Sequence, residues 1–351
     1  MAISFAKTTQ VSSVVQDTPW HRSPTDQRLL RIDPAPPAVP DLSLSFLDEI
    51  AAQLPSMIAS DQPVRAEELI HRLFHECNTL RHALPAHEWK RVVEKIRSSP
   101  VLPMVHQDAF TFRAFSKPRG YAGDAVMMDM IYSLEEGYPV PEMSALGQQV
   151  FRYTTQAAAS AGVRARREYI AELLDRTLYA NHQAEILAVA AGHLREAAMS
   201  SAVRRGRFGS YLALDADPES LEEVHRNHHR LGISTHTADI RKLLTGQLAC
   251  GPFDLVYSTG LYDYLHEKAA QRLTYHLFQL LRPQGRLVLA NFLPGIADVG
   301  YMEACMDWFL VYRDRFSMLG LTKLIRQEDI QEIVLRVEEN QNIIFLEVVR
   351  A

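Results

Sequence analysis

Four short clusters of small and acidic residues carry the most informative chemistry in this sequence. They are Ala190-Ala191-Gly192, Asp215-Ala216-Asp217-Pro218, Ala238-Asp239-Ile240 and Ser258-Thr259-Gly260-Leu261-Tyr262-Asp263-Tyr264. Small residues let a ligand approach the backbone, and a helix that follows them adds the positive end of its dipole. A carboxylate at Asp215 can accept hydrogen bonds from both hydroxyls of a ribose. Asp217 reads as a helix cap, with Pro218 at the first helical position. Asp239 can accept from the exocyclic amine of a base. No Lys or Arg precedes Arg195 in the first turn, and the G-x-x-x-x-G-K-[ST] phosphate loop is absent. The pattern suits a cationic nucleoside better than a pyrophosphate.

Other residue types leave alternatives open. The loop around Lys117, Arg119, Tyr121 and Asp124 is a solvated turn with a local ion pair or part of a site, in equal measure on composition alone. Asp263 and His266 are candidate general bases, although His266 reads more readily as a solvent-facing residue at a helix N-terminus. Trp308 and Tyr312, four apart, would share a helix face, either as core or as a pocket wall. His71 and His75 have the spacing of metal ligands on a helix, but no third ligand stands at motif spacing, so no metal site is expected.

The clusters need strands to hold them. Short apolar runs at 185–190, 211–214, 234–237, 253–257 and 286–290 alternate with helical patterns at 194–203, 218–229 and 268–281. That alternation predicts a parallel sheet with right-handed crossovers, whose ligands sit at the carboxyl ends of the strands. Runs at 332–338 and 342–349 predict a closing antiparallel hairpin. Upstream, Leu69, Ile70, Leu73, Phe74, Cys77 and Leu80 mark one helix face, and Trp89, Val92, Val93 and Ile96 another. Pro24, Pro34, Pro36, Pro37 and Pro40 disfavour helix before them. The expected organisation is a flexible arm over 1–45, a helical lid or substrate domain over 46–160, and an α/β domain over 161–351.

Composition narrows the function classes. With Lys plus Arg at 37 against Asp plus Glu at 42, the net charge of −5 argues against non-specific nucleic-acid binding. No apolar run is long enough for a membrane span, and the start lacks a signal-peptide core. Cys77, Cys250 and Cys305 are odd in number and far apart, which excludes a disulfide scaffold and fits a reducing cytoplasm. The expected partner is a small molecule, with no nucleic acid and no membrane; a homodimer is compatible with the sequence.

From about Val163 to the end, the chain resembles the class I S-adenosylmethionine-dependent methyltransferases. The resemblance rests on ILAVAAGHLREA, YLALDADPESL, the ADI segment, FDLVYSTGLYDYL, LRPQGRLVLANF and the hairpin. It implies a Rossmann-like seven-stranded sheet and S-adenosylmethionine as cofactor, with Ala190, Ala191, Gly192, Asp215, Ala216, Asp239, Ile240, Ser258, Thr259, Gly260 and Leu261 around it. The family usually has an acidic residue and a Gly-x-Gly-x-Gly turn at the first strand; here Ala188, Ala190 and Leu194 occupy the acidic and two of the glycine places. KPRGYAGD, STGLYDYL and YMEACMDWFLVYRDR look like a bacterial subfamily described as makers of a 3-hydroxypalmitic acid methyl ester signal.

The resemblance implies methyl transfer to a small organic molecule, most simply to a carboxylate, which needs positioning rather than a base. On that reading Arg119 anchors the acid, with Arg313 as a second anchor; Tyr121, Tyr262 and Tyr264 contact it, and Trp308 and Tyr312 form an apolar wall. A hydroxyl, thiol or amine acceptor would call on Asp263 or His266 as base, with Tyr121 assisting. A non-catalytic nucleoside binder is the other class that fits.

Overall fold

The computed structural model describes residues 44–245 and 250–351. The expected arm over 1–45 lies almost wholly outside the described residues. The helical part comprises α1 (Ser45–Ala59), α2 (Pro63–Ala83), α3 (Ala86–Ser98), α4 (Val101–Val105), α5 (Ala109–Ser116), α6 (Ala125–Glu136), α7 (Ala145–Gln156) and α8 (Ala158–Ala180). The α/β part follows as β1 (Glu185–Val189), α9 (Arg195–Met199), α10 (Ser201–Arg204), β2 (Ser210–Asp215), α11 (Pro218–His228), β3 (Ser234–Thr237), α12 (Ile240–Leu244), β4 (Phe253–Ser258), α13 (Glu267–Gln279), β5 (Leu281–Phe292), α14 (Val299–Cys305), α15 (Arg315–Gly320), β6 (Ile330–Val337) and β7 (Ile343–Arg350).

The seven strands form one sheet in the order β3-β2-β1-β4-β5-β7-β6. Strands β1 to β5 pair in parallel, and β7 inserts antiparallel between β5 and β6. Layers on both faces explain why β1 reads as the continuous apolar run Ile186-Leu187-Ala188-Val189, each residue buried. The fold is thus the Rossmann-like α/β sheet with a closing hairpin that the sequence pattern predicts.

Three local expectations need correction. The first crossover is not one helix: it breaks at Ser200, whose side chain caps α10 by accepting from Val203 N and donates to Asp175 at 2.5 Å. Strand β5 starts at Leu281 rather than 286, because Leu281 pairs with Phe253 ahead of a register shift, despite the breakers Pro283 and Gly285. Trp308 and Tyr312 do not lie on a helix. Helix α14 ends at Cys305, and Asp307 takes the left-handed φ of 49°, where its carboxylate meets Arg97 and Lys117.

The apolar stripes of α2 and α3 do not close on each other alone; they grip α14 from the far end of the chain. A Cβ on Gly300 would lie 2.3 Å from the Cys77 carbonyl, so the two backbones touch. Buried Glu303 accepts from Arg81 Nε and Trp89 Nε1, both at 2.6 Å. This clasp positions the 306–314 segment. The cover over the strand ends comes from α6, α8 and the loop 117–124. Asp124 starts α6 by capping Met127 N at 3.0 Å and is held in turn by Arg113.

Candidate active site

The carboxyl ends of β1, β2, β4 and β5 open into a cavity of about 470 Å³, roofed by α6, α8 and the 117–124 loop. Of the residues singled out from sequence, Ala190, Ala191, Gly192, Asp215, Ala216, Thr259, Gly260, Leu261, Asp263, Tyr121, Tyr264 and Trp308 line it.

The turn after β1 has a distinctive backbone. Ala190, Gly192 and Leu194 lie at φ 53°, 53° and 54°, alternate positions in the left-handed region. The turn therefore holds the shape a Gly-x-Gly-x-Gly run would allow, with side chains at two of the places. An L-residue there costs roughly 1–2 kcal/mol, so the conformation is imposed by its surroundings. One constraint is Asp215, which accepts from Gly192 N at 2.8 Å and from Asp217 N at 2.9 Å. Each oxygen keeps acceptor capacity. Burial pushes the Asp215 carboxyl above its usual range, the mark of an acid held out of water. Ala238 and Leu243 add an apolar wall beyond β3.

At the other end, Asp263 is buried, accepts from Phe292 N at 2.8 Å, and is pushed up to about 6 by burial. The Tyr264 hydroxyl donates to Ala122 O at 2.7 Å and accepts from Trp308 Nε1 at 2.9 Å. Tyr121 meets the Tyr264 ring edge-on at 6.3 Å, and burial, reinforced by the Asp215, Asp124 and Asp217 charges, raises its phenol well above the ordinary value. Phe292 and Leu310 complete an apolar surface beside Trp308.

The remaining candidates stand elsewhere. Arg119 turns away from the cavity and locks the loop onto α11, donating to Asp217 at 2.7 Å, Ser220 at 3.0 Å and Glu219 at 3.1 Å. Arg313 is buried in a structural knot, donating to Tyr262 O, Leu265 O and Asn291 Oδ1. Tyr262 is fully buried behind β4 with its hydroxyl on Thr274. His266 is exposed at the N-terminus of α13. Asp239 caps α12, which Ile240 begins, by accepting from Arg241 N at 3.0 Å. Ser258 is buried below the turn, and Tyr312 packs outside the cavity.

Sequence reading missed the roof. Asp129 and Tyr132 of α6, Arg166 and Arg167 of α8, and His193, Arg195 and Glu196 after β1 all line the cavity. Asp129 receives His193 Nδ1 at 2.7 Å and a two-pronged Arg195 contact at 2.7 and 2.6 Å, tying α6 to the β1 turn. A signal for the arginines existed: Val163, Arg166, Arg167 and Ile170 are spaced i, i+3, i+4 and i+7, on the apolar face rather than the solvent face.

Residues 186–285 match the family model described as methyltransferase domain. Among solved structures, a possible exported protein from Bordetella parapertussis is 15% identical, with a TM-score of 0.51 over 64% of this chain and 79% of that one. Magnesium protoporphyrin IX methyltransferase from Synechocystis PCC 6803 is 13% identical, with a TM-score of 0.43 over 65% and 100% of the two chains. The N-methyltransferase NodS from Bradyrhizobium japonicum WM9 is 16% identical, with a TM-score of 0.38 over 53% and 97%. No curated protein matches the chain. No helix among the described residues is long and apolar enough to cross a membrane.

The match over residues 186–285 supports a methyltransferase domain there, and S-adenosylmethionine is the cofactor such a domain uses. The cavity fits that group: Asp215 is a buried acceptor pair suited to ribose hydroxyls, and the β1 turn lets a ligand reach backbone at Gly192, where φ is 53°.

Proposed function

We propose that this protein transfers a methyl group to an oxygen of a small, apolar-bodied organic molecule, with Asp263 as the base that takes the acceptor's proton. The observation that carries this reading is a buried carboxyl on the cavity wall, pushed up to about 6 and so poised near neutral pH. Bound S-adenosylmethionine supplies an electrophilic methyl on sulfonium sulfur. The chain's task is to orient the acceptor, exclude water and remove its proton. Trp308, Phe292 and Leu310 form the dry wall, and Tyr264 fixes the roof loop above it.

The acceptor is compact. A side cavity behind Val163, Phe292 and Trp308 measures only about 20 Å³, room for roughly one water, so a long acyl chain would have to leave through the main mouth. Arg119, the expected acid anchor, is committed to α11. A carboxylate acceptor giving a methyl ester is the alternative outcome of the same assay. The KPRGYAGD and GLYDYL motifs meet where Tyr264 bonds Ala122 O, which supports the subfamily they resemble. The loop 117–124, α6 and α8 serve as the lid on this reading; of the 46–160 segment, α2 and α3 instead brace α14.

Release of S-adenosylhomocysteine across a panel of alcohols, phenols and carboxylic acids tests the proposal. A hydroxyl acceptor should turn over at a rate that climbs through about pH 6, and Asp263→Asn should abolish that climb. A carboxylate acceptor with a flat profile, undiminished in Asp263→Asn, would replace this reading with the ester.

A further inference from the structure

We infer that Arg166 and Glu196 form a receptor for an α-amino acid group, holding the methionine end of the cofactor from the α8 side; this rests on the cofactor reading above. Arg166 is only 7% exposed, yet no carboxylate lies within ion-pair distance of it among the described residues. Its neighbours differ: Arg167 pairs with Glu135 and Glu136, and Arg164 with Glu135. Arg166 instead donates through Nη1 to Thr259 O at 2.5 Å, and Nη2 reaches only Met128 Sδ at 3.8 Å. Asp263 and Glu196 act on its charge only from beyond contact distance, and a nearly buried guanidinium without an ion-pair contact is costly, so the site suits an anion that arrives with a ligand. The fork geometry matches a carboxylate.

Glu196 supplies the opposite charge on the same cavity. It accepts from Tyr257 Oη at 2.7 Å, and Tyr257 in turn meets Tyr211 Oη at 2.5 Å, a buried chain that fixes the carboxylate. Burial raises its pKa while the Arg166 and Arg167 charges pull it down. Glu196 and Arg166 face one space without pairing with each other, which leaves room for a zwitterion between them. A simple acid would use the arginine alone; an amino acid uses both. The arrangement also meets a need of this chain. Ala188 stands where the resembled family has its acid, and Ala190 and Leu194 where it has glycines. An acid after the turn and an arginine from α8 take over the grip.

Titration calorimetry with S-adenosylhomocysteine and with 5′-methylthioadenosine, which lacks the amino acid group, tests this directly. Wild-type protein should prefer the first ligand strongly. Arg166→Gln and Glu196→Gln should each weaken it about tenfold or more, the scale of one charge-assisted contact, and leave 5′-methylthioadenosine unchanged. Arg166→Lys should recover part of the loss, keeping charge without the fork. Equal losses for both ligands would reduce these residues to a structural role and overturn the inference, as would unchanged affinity for S-adenosylhomocysteine. Wild-type protein that binds neither ligand would instead sink the cofactor reading itself.

Discussion

Trp308 donates from its indole nitrogen to the Tyr264 hydroxyl at 2.9 Å, and through that hydroxyl the 306–314 segment, the turn after β4 and the roof loop become one unit. Gly123 sits inside this junction. A Cβ there would lie 2.5 Å from Tyr264 Oη and 2.6 Å from Trp308 Cζ2, and its φ of 75° disfavours any side chain. Gly123→Ala should therefore displace the loop and cut kcat/KM by about a hundredfold, the scale of a 1 Å misplacement. Tyr264→Phe, which only removes the hydrogen bonds, should lose less. Steady-state kinetics of the two variants give the order; a fully active Gly123→Ala would show that the loop does not shape the acceptor site.

Asp215 is expected to hold the ribose. Asp215→Ala removes the acceptor for the two hydroxyls and frees Gly192 N and Asp217 N. Charge-assisted hydrogen bonds contribute roughly 1.5–3 kcal/mol each, so affinity for S-adenosylhomocysteine should fall by tenfold or more. Calorimetry that returns wild-type affinity would remove Asp215 from the cofactor site.

The strand ends were legible because β1, β2 and β4 are buried on both faces, and apolar runs bounded by Gly, Asp and Pro have one simple solution. Asp217 with Pro218 announced its cap in the same local code, and the structure puts that cap on Glu219 N at 3.1 Å. What stayed hidden depends on distant partners. Trp308 and Tyr312 have helical spacing, but the ion pairs from Arg97 and Lys117 to Asp307 stop the helix before them. Arg119 has the chemistry of an acid anchor, yet the acids it meets belong to α11, about a hundred residues away in sequence. Arg166 faces a cavity only because α8 runs across the β4 turn, where Thr259 O receives it.

Ala190 occupies a backbone site that glycine adopts without strain, at φ 53°. Ala190→Gly should raise stability by about 1 kcal/mol, the left-handed penalty less the entropy of glycine. Denaturant midpoints at constant m-value measure it. A loss of stability would mean that the Ala190 methyl packs more favourably than its backbone is strained.

Asp298 gives the pH dependence its clearest sign. It is buried beside the side cavity, its side chain accepts only from Ala159 N, at 2.6 Å, among the described residues, and burial pushes its carboxyl from 3.8 to about 6. The folded state thus binds this proton more tightly than the unfolded state. Stability is lost as pH rises from about 4 to about 6 and stays lost above that, by roughly 3 kcal/mol at 1.36 kcal/mol per unit. Asp298→Asn keeps the acceptor for Ala159 N and removes the charge. It should stabilise the protein at pH 7.5 by up to about that amount, and the gain should vanish towards about pH 3, below both pKa values, where the wild-type acid is largely protonated in both states. Urea unfolding at the two pH values decides it: an equal effect at both would assign the change to packing rather than to the buried charge.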